Sequence, residues 1–378
     1  MKKASAHSNQ LLIASSEKDS DLYYATRFIA PDPFVFLQTG GKKYILINDL
    51  EIDRARKQAR AHSIISTSRL AAEYKQKHKK QCSFIELILY FLKKKKVQNV
   101  FVPGNFPVQY YEPLRRAGLR IQYKNGIFFE KRLIKDRFEI AAITQALRAT
   151  EKAAHEAIKV LKGSTIRKGK LYFHGKILTS ESLRKLIHQT LLSEDCAGEH
   201  TIVSCGHHSI DPHDQGSGPL LAHQPIIMDI FPRSQKTLYY ADFTRTVVRG
   251  KASSELKKIY TAVSEGQDIG FKMVRSGIAG KKVHEAIQNR FKELGYNTGL
   301  KDGRMQGFFH STGHGLGLDI HEPPRVSVGE DILKAGQVVT VEPGLYYKGV
   351  GGVRLEDVVV VTGKGCRNLT RFPRKLEI

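Results

Sequence analysis

The residues best suited to chemistry are four carboxylates set in apolar stretches and a set of histidines beside glycine. PIIMDIF (225–231) carries Asp229, and LYYADFTRTVV (238–248) carries Asp242. VVTVEPG (338–344) carries Glu342, and GVRLEDVVVV (352–361) carries Glu356. Burying an ionised carboxylate without a partner costs several kcal/mol. One acid per strand is explicable as a salt bridge, with Arg245 or Arg354 as partner. Four acids in four such segments need more positive charge than two arginines supply, and oxygen-binding divalent cations meet that need.

The stretch FFHSTGHGLGLDIHEPP (308–324) holds His310, His314 and His321 among Gly313, Gly315 and Gly317. Glycine at this density opposes a helix, so the imidazoles read as ligands or proton carriers on a tight backbone. His310 and His314 are four apart, but no Glu follows His310 as the helical zinc motif H-E-x-x-H requires. GHGLG lacks the third glycine of a dinucleotide fingerprint. A second cluster, CGHHSIDPHD (205–214), offers His207, His208 and His213. His213, beside Pro212 and just before the Asp229 segment, is the favoured candidate.

These residues need a scaffold that brings distant segments together. A long helical pattern (138–162) and a shorter one (180–193) precede strands near 200–204, 226–230 and 237–249. The order then recurs: helices at 253–275 and 280–295, then strands near 338–342 and 352–362. Asp229 and Glu342 are 113 residues apart, Asp242 and Glu356 114. That offset exceeds the usual solenoid repeat and reads as a duplicated α+β half, with a ligand site expected between the halves. Upstream, FVFL (34–37), YILIN (44–48) and NVFVPG (99–104) read as strands. Residues 51–60, 84–96 and 108–118 read as helices, and 119–131 as a hairpin turning at Asn125-Gly126. The charged stretch 132–138 marks a boundary, giving domains of 1–135 and 136–378.

Composition narrows the setting. The chain has 378 residues and four scattered cysteines, Cys82, Cys196, Cys205 and Cys366, without a C-x-x-C pair. That pattern is neither a disulfide framework nor a zinc knuckle, and with no apolar leader behind the N-terminal lysines it suggests a cytoplasmic protein. No stretch is apolar and long enough to suggest a membrane span. The net charge of +24 is uneven, residues 1–135 holding +15 of it. Runs such as LKKKKV (92–97) follow a helical pattern, where lysines suit the C-terminal dipole. Without an accompanying motif they do not make nucleic acid the expected partner.

Together, the block ending DFTRT, the GHGLG–x–x–HE block, EPG and RLED resemble the pita-bread metallopeptidases, the family of Xaa-Pro aminopeptidase, prolidase and methionine aminopeptidase. The resemblance covers most of the chain and implies an α/β creatinase-type N-terminal domain followed by an α+β pseudo-twofold catalytic domain. It implies two divalent metal ions (Mn foremost, with Co, Zn or Fe also suited) held by Asp229, Asp242, His314, Glu342 and Glu356, with Asp242 and Glu356 bridging. It implies substrate contacts for His213, His310 and His321, and proton transfer by Glu342. Arg354 is expected to share a strand face with Glu356 and to orient it or a substrate carboxylate. The expected substrate is a peptide with proline second, cut by an aminopeptidase or, alternatively, a dipeptidase. A homodimer is compatible with the family, and a non-catalytic binding protein is the other-class alternative. The family usually has glycine two positions after its first aspartate. Phe231 stands there instead, and the stretch before Asp242 is about two residues longer.

Overall fold

A computed structural model describes residues 9–378 and divides into two compact units, Met1–Arg132 and Leu133–Ile378. The first unit is built on a six-stranded mixed sheet in the order Ser63–Ser66, Lys42–Ile47, Phe34–Thr39, Gln10–Ala14, Asn99–Pro103, Arg120–Lys124. Strand alternation sends Leu11, Ile13, Val35 and Leu37 to one face, where the helices Thr67–His78 and Phe84–Lys94 pack. Leu12, Phe34, Phe36 and Ile45 go to the other, against the helices Ser20–Thr26 and Ile52–Gln58. Helix Phe84–Lys94 begins in a Ser83–Glu86 capping box and carries Lys93 and Lys94 in its last turn.

The hairpin expected at 119–131 does not form. Arg120–Lys124 pairs in parallel with Asn99–Pro103. Beyond Gly126 the chain leaves the sheet, because Phe128 is buried in the cluster under helix Ser20–Thr26 and its backbone N–H donates to Asp21 at 3.3 Å. Burial of that ring outweighs a strand pairing at an exposed edge.

The second unit repeats one plan. Helix Arg137–Gly163 starts in an Asp136–Glu139 capping box, and helix Ser180–Ser193 follows. Next comes an antiparallel sheet in the order Ile202–Cys205, Ile226–Asp229, Thr244–Val247. The second half has helices Ser254–Met273 and Gly280–Glu293 and a five-stranded antiparallel sheet. Its order is Glu322–Val326, Gly313–Gly315, Val338–Val341, Asp357–Val361, Cys366–Asn368. Leu256, Ile259 and Val263 of the first of these helices pack on Val339, Val341, Val359 and Val361. A two-stranded ribbon, Gly344–Tyr347 with Gly351–Arg354, joins the parts. The halves meet at a bridge between Thr244 and Glu356.

The strands are shorter than their apolar runs suggest, and three of the four acids lie outside them. Asp229 is the last residue of its strand. Asp242 precedes Thr244–Val247, Glu342 follows Val338–Val341, and Glu356 sits in the break between Gly351–Arg354 and Asp357–Val361. Pro343, without an N–H, ends one ladder. Within a strand successive side chains alternate between faces. At the strand ends that constraint lapses, and side chains from four segments can turn toward one space.

Candidate metal centre

The space they turn toward is a cavity of about 640 Å³ in the second unit. Its wall includes nine of the residues singled out in the sequence: His213, Asp229, Asp242, His310, His314, His321, Glu342, Arg354 and Glu356. His207 and His208 lie outside it. Their rings are 4.1 Å apart, and His208 Nδ1 is 2.8 Å from Asp214 Oδ2.

At its centre Asp242, His314 and Glu356 each offer a ligand atom, all within 4.8 Å of one another. His314 Nε2 lies 3.5 Å from Asp242 Oδ2 and 3.3 Å from Glu342 Oε1. His314 Nδ1 is 3.1 Å from the Gly315 carbonyl, which only accepts. Nδ1 therefore carries the proton. Burial first, then neighbouring His321, hold the ring's pKa down to about 3, so it is neutral. The bare Nε2 thus faces carboxylate oxygens, acceptor against acceptor, an arrangement that calls for a cation between them. Asp229 Oδ1 is buried with no hydrogen-bond partner among the described residues.

Charge balance points the same way. Burial, then repulsion from Asp229 and Glu342, raises Asp242 well above the ordinary carboxylate range. Glu356 is likewise raised by burial and by Asp242, Glu342 and Asp229. Burial pushes Glu342 up to about 7 despite the nearby Arg354. Two threonines hold single lone pairs: Thr244 Oγ1 donates to Glu356 Oε2 at 2.7 Å, and Thr340 Oγ1 to Glu342 Oε1 at 3.2 Å. An oxygen-rich donor set with one imidazole and excess negative charge fits divalent metal.

The arginines divide the work differently from the sequence expectation. Arg354 and Glu356 both line the cavity, but the guanidinium reaches Glu356 only through Thr244, and its direct bonds go elsewhere. Its Nη2 donates to Asp229 Oδ2 at 2.6 Å, Nη1 to the Tyr346 hydroxyl at 2.8 Å and Nε to Thr244 Oγ1 at 3.3 Å. The Tyr346 hydroxyl lies 3.0 Å from His310 Nε2, whose Nδ1 is 2.8 Å from the Ser311 carbonyl. His310 is neutral, its pKa held down to about 3 by burial and Arg354. Arg245 serves no site acid's side chain. It pairs with Asp357 at 2.7 Å and donates to backbone carbonyls, including those of Phe372 and Glu356.

The histidines of the rim are more open. His213 is exposed on a turn where its N–H donates to Asp211 at 3.0 Å. The exposed His321 stands edge-on to His314 with ring centroids 4.4 Å apart. Partial burial, then Arg325 and His213, lower its pKa. Sequence reasoning missed Thr244 and Thr340, although each lies two positions from an acid and so on its side of an extended chain. It also missed Tyr346 and Arg325, and the apolar wall of Ile202, Phe231, Phe309 and Ile320. Neither Tyr346, four residues past Glu342, nor Arg325, four past His321, has a spacing that announces a contact in non-helical chain.

Glycine makes the central turn possible. A Cβ at Gly313 would lie 2.0 Å from the Thr340 carbonyl oxygen, and one at Gly315 2.4 Å from that of Pro323. The histidine-bearing strand therefore sits closer to both neighbours than any side chain allows.

Comparison with known proteins gives a consistent picture. The profile described as Metallopeptidase family M24 matches residues 141–363. A Xaa-Pro dipeptidase of Pyrococcus horikoshii is 30% identical over 284 residues, 74% of this chain and 75% of that one. A Xaa-Pro dipeptidase of Pyrococcus furiosus is 32% identical over 253 residues, 67% of each. Among solved structures, the prolidase of P. horikoshii superposes with TM-score 0.78 at 25% identity, covering 98% of this chain and 96% of that one. An X-Pro aminopeptidase from Thermotoga maritima shares the fold with TM-score 0.80 at 24% identity, covering 98% and 97%.

Proposed function

Since this chain belongs to metallopeptidase family M24, a family of hydrolytic enzymes with the pita-bread fold, we propose that it hydrolyses the Xaa-Pro bond at the N-terminus of short peptides. Two divalent ions, Mn foremost, are held by Asp229, Asp242, His314, Glu342 and Glu356. The observation that carries this reading is the meeting of four carboxylates with a proton-free imidazole nitrogen around one cavity. A non-catalytic binding role has no use for a donor set left so unbalanced.

Divalent ions bound there supply Lewis acidity and a water nucleophilic near neutral pH. The chain's own groups do the rest. Glu342, at the cavity wall with His314 Nε2 3.3 Å from its Oε1, takes a proton from water and passes it to the leaving nitrogen. His321 and His213 at the rim are placed to donate to the scissile carbonyl oxygen as it gains charge, an effect of a few kcal/mol at most sites of this kind, about 3. His310, backed by the fully buried Tyr346, and Phe309 present a ring-lined wall for the proline ring, which has no N–H to recognise. Four unpaired thiols suit a cytoplasmic setting, and among the described residues no helix is long and apolar enough to cross a membrane.

Of the two activities, the dipeptidase reading is favoured by one further feature. Arg325 lines the cavity next to His321 with its side chain exposed, while Arg354 is committed to Asp229. A guanidinium at that rim with no ion-pair partner among the described residues suits the terminal carboxylate of a dipeptide. The test compares rates on Xaa-Pro and Xaa-Pro-Yaa peptides for the native protein and for Arg325→Met. A dipeptidase loses its preference for the two-residue substrate through a raised KM. Equal use of both lengths, unchanged by the substitution, would instead identify an aminopeptidase.

A further inference from the structure

Beneath the rim, outside the set that faces the cavity, lies a second charged pair. Lys135 Nζ and Glu322 Oε2 are 2.7 Å apart, with side-chain exposures of 2% and 1%. Glu322 is the residue after His321 and opens the strand Glu322–Val326, where it stands opposite Gly315. Its other oxygen, Oε1, accepts the backbone N–H groups of Leu318 at 3.1 Å and Asp319 at 3.2 Å. The carboxylate therefore fills the inside of the turn Leu316–His321. A Cβ at Gly317 would come within 2.7 Å of Glu322 Oε2, so any side chain there would push the carboxylate from its place.

Both ends of this turn reach the metal centre. The Gly317 carbonyl accepts the N–H of Tyr240 at 2.8 Å, two residues before Asp242. At the far end His321 packs edge-on against His314. We propose that Glu322, held by Lys135, is a positioning residue that fixes Asp242 and His321 in a single geometry through the turn it fills. The role rests on the reading of the cavity as a metallopeptidase site. A buried ion pair is weak evidence for stability, since an apolar pair of the same shape often serves as well. No apolar side chain, however, accepts two N–H groups, and these bonds tie the carboxylate to the turn. Groups one step behind metal ligands and catalytic side chains typically govern 10- to 100-fold in metal affinity or activity.

Three variants of the full chain test this: Glu322→Ala, Lys135→Met, and the pair Lys135→Met with Glu322→Gln. Each is assayed for kcat and KM on an Xaa-Pro dipeptide, for bound Mn per chain by equilibrium dialysis, and for Tm. Glu322→Ala is expected to lower kcat roughly 10- to 100-fold, with KM within about threefold and Mn affinity weakened. Lys135→Met is expected to share the defect. The double variant keeps an oxygen for both N–H groups and leaves no charge alone, so it should return to within about threefold of native kcat. A merely structural pair would lower Tm and the active fraction but leave kcat per active molecule unchanged, and that result overturns the proposal. So does a double variant as impaired as Glu322→Ala. Should Glu322→Ala fail to fold, Gly317→Ala displaces the same carboxylate, and a native kcat there is equally contrary. If the native protein itself shows no Xaa-Pro hydrolysis, the functional reading fails instead, and Mn affinity alone reports on the turn.

Discussion

Lowering the pH should release the metal well above the ordinary carboxylate range, and the structure sets the scale. Glu342 reaches a pKa of about 7 because it is buried beside Asp229, with Arg354 only partly offsetting this. Metal binds the ionised form, so proton and metal compete for the same oxygens. For a group titrating near 7, the ionised fraction falls from about nine-tenths at pH 8 to about one-tenth at pH 6, which weakens metal binding about tenfold. Asp242 and Glu356 are raised in the same direction and steepen the loss. His314, with a pKa near 3, is neutral at both pH values and adds nothing. The assay is titration calorimetry with Mn at pH 6 and pH 8 in two buffers of different ionisation enthalpy, which counts the protons released. At least a tenfold drop in affinity is expected, with more protons released at pH 6. Equal affinity at the two pH values, with no proton release, would refute the argument that these acids share one buried, undercompensated charge.

Other substitutions probe single links. Asp242→Ala should abolish Mn binding and hydrolysis, yet the metal-free variant should melt no lower than metal-free native protein, because a buried repelling carboxylate is gone; differential scanning calorimetry after chelation decides. Arg354→Met leaves Asp229 buried without its partner and should cost about 3–5 kcal/mol in denaturant unfolding. Gly313→Ala forces a Cβ to within 2.0 Å of the Thr340 carbonyl and should cost about 3 kcal/mol, with weaker Mn binding as His314 shifts.

Much of this was legible because the chemistry is carried by residue types that are costly where they stand. Carboxylates in apolar runs and imidazoles among glycines declare themselves, and the 113- and 114-residue offsets exposed the repeated half. Composition and period could not show where each ladder stops. Val338–Val341 ends at Glu342 because Pro343 follows, and Glu356 falls in a break that the unbroken run GVRLEDVVVV conceals. The direct partner of Arg354 proved to be Asp229, 125 residues away, with Glu356 reached only through Thr244. The turn Asn125-Gly126 misled in the same way: its local signal was sound, but burial of Phe128 against helix Ser20–Thr26 decided the path. Contacts made across long sequence separations, such as Lys135 with Glu322 or His310 with Tyr346, leave no local trace.

Hydrolysis of an Xaa-Pro dipeptide by the purified protein, followed before chelation, after it, and after Mn is restored, tests the central claim most directly. Turnover that vanishes with the metal and returns with Mn is the expected result. Undiminished turnover in protein shown to be metal-free would contradict it.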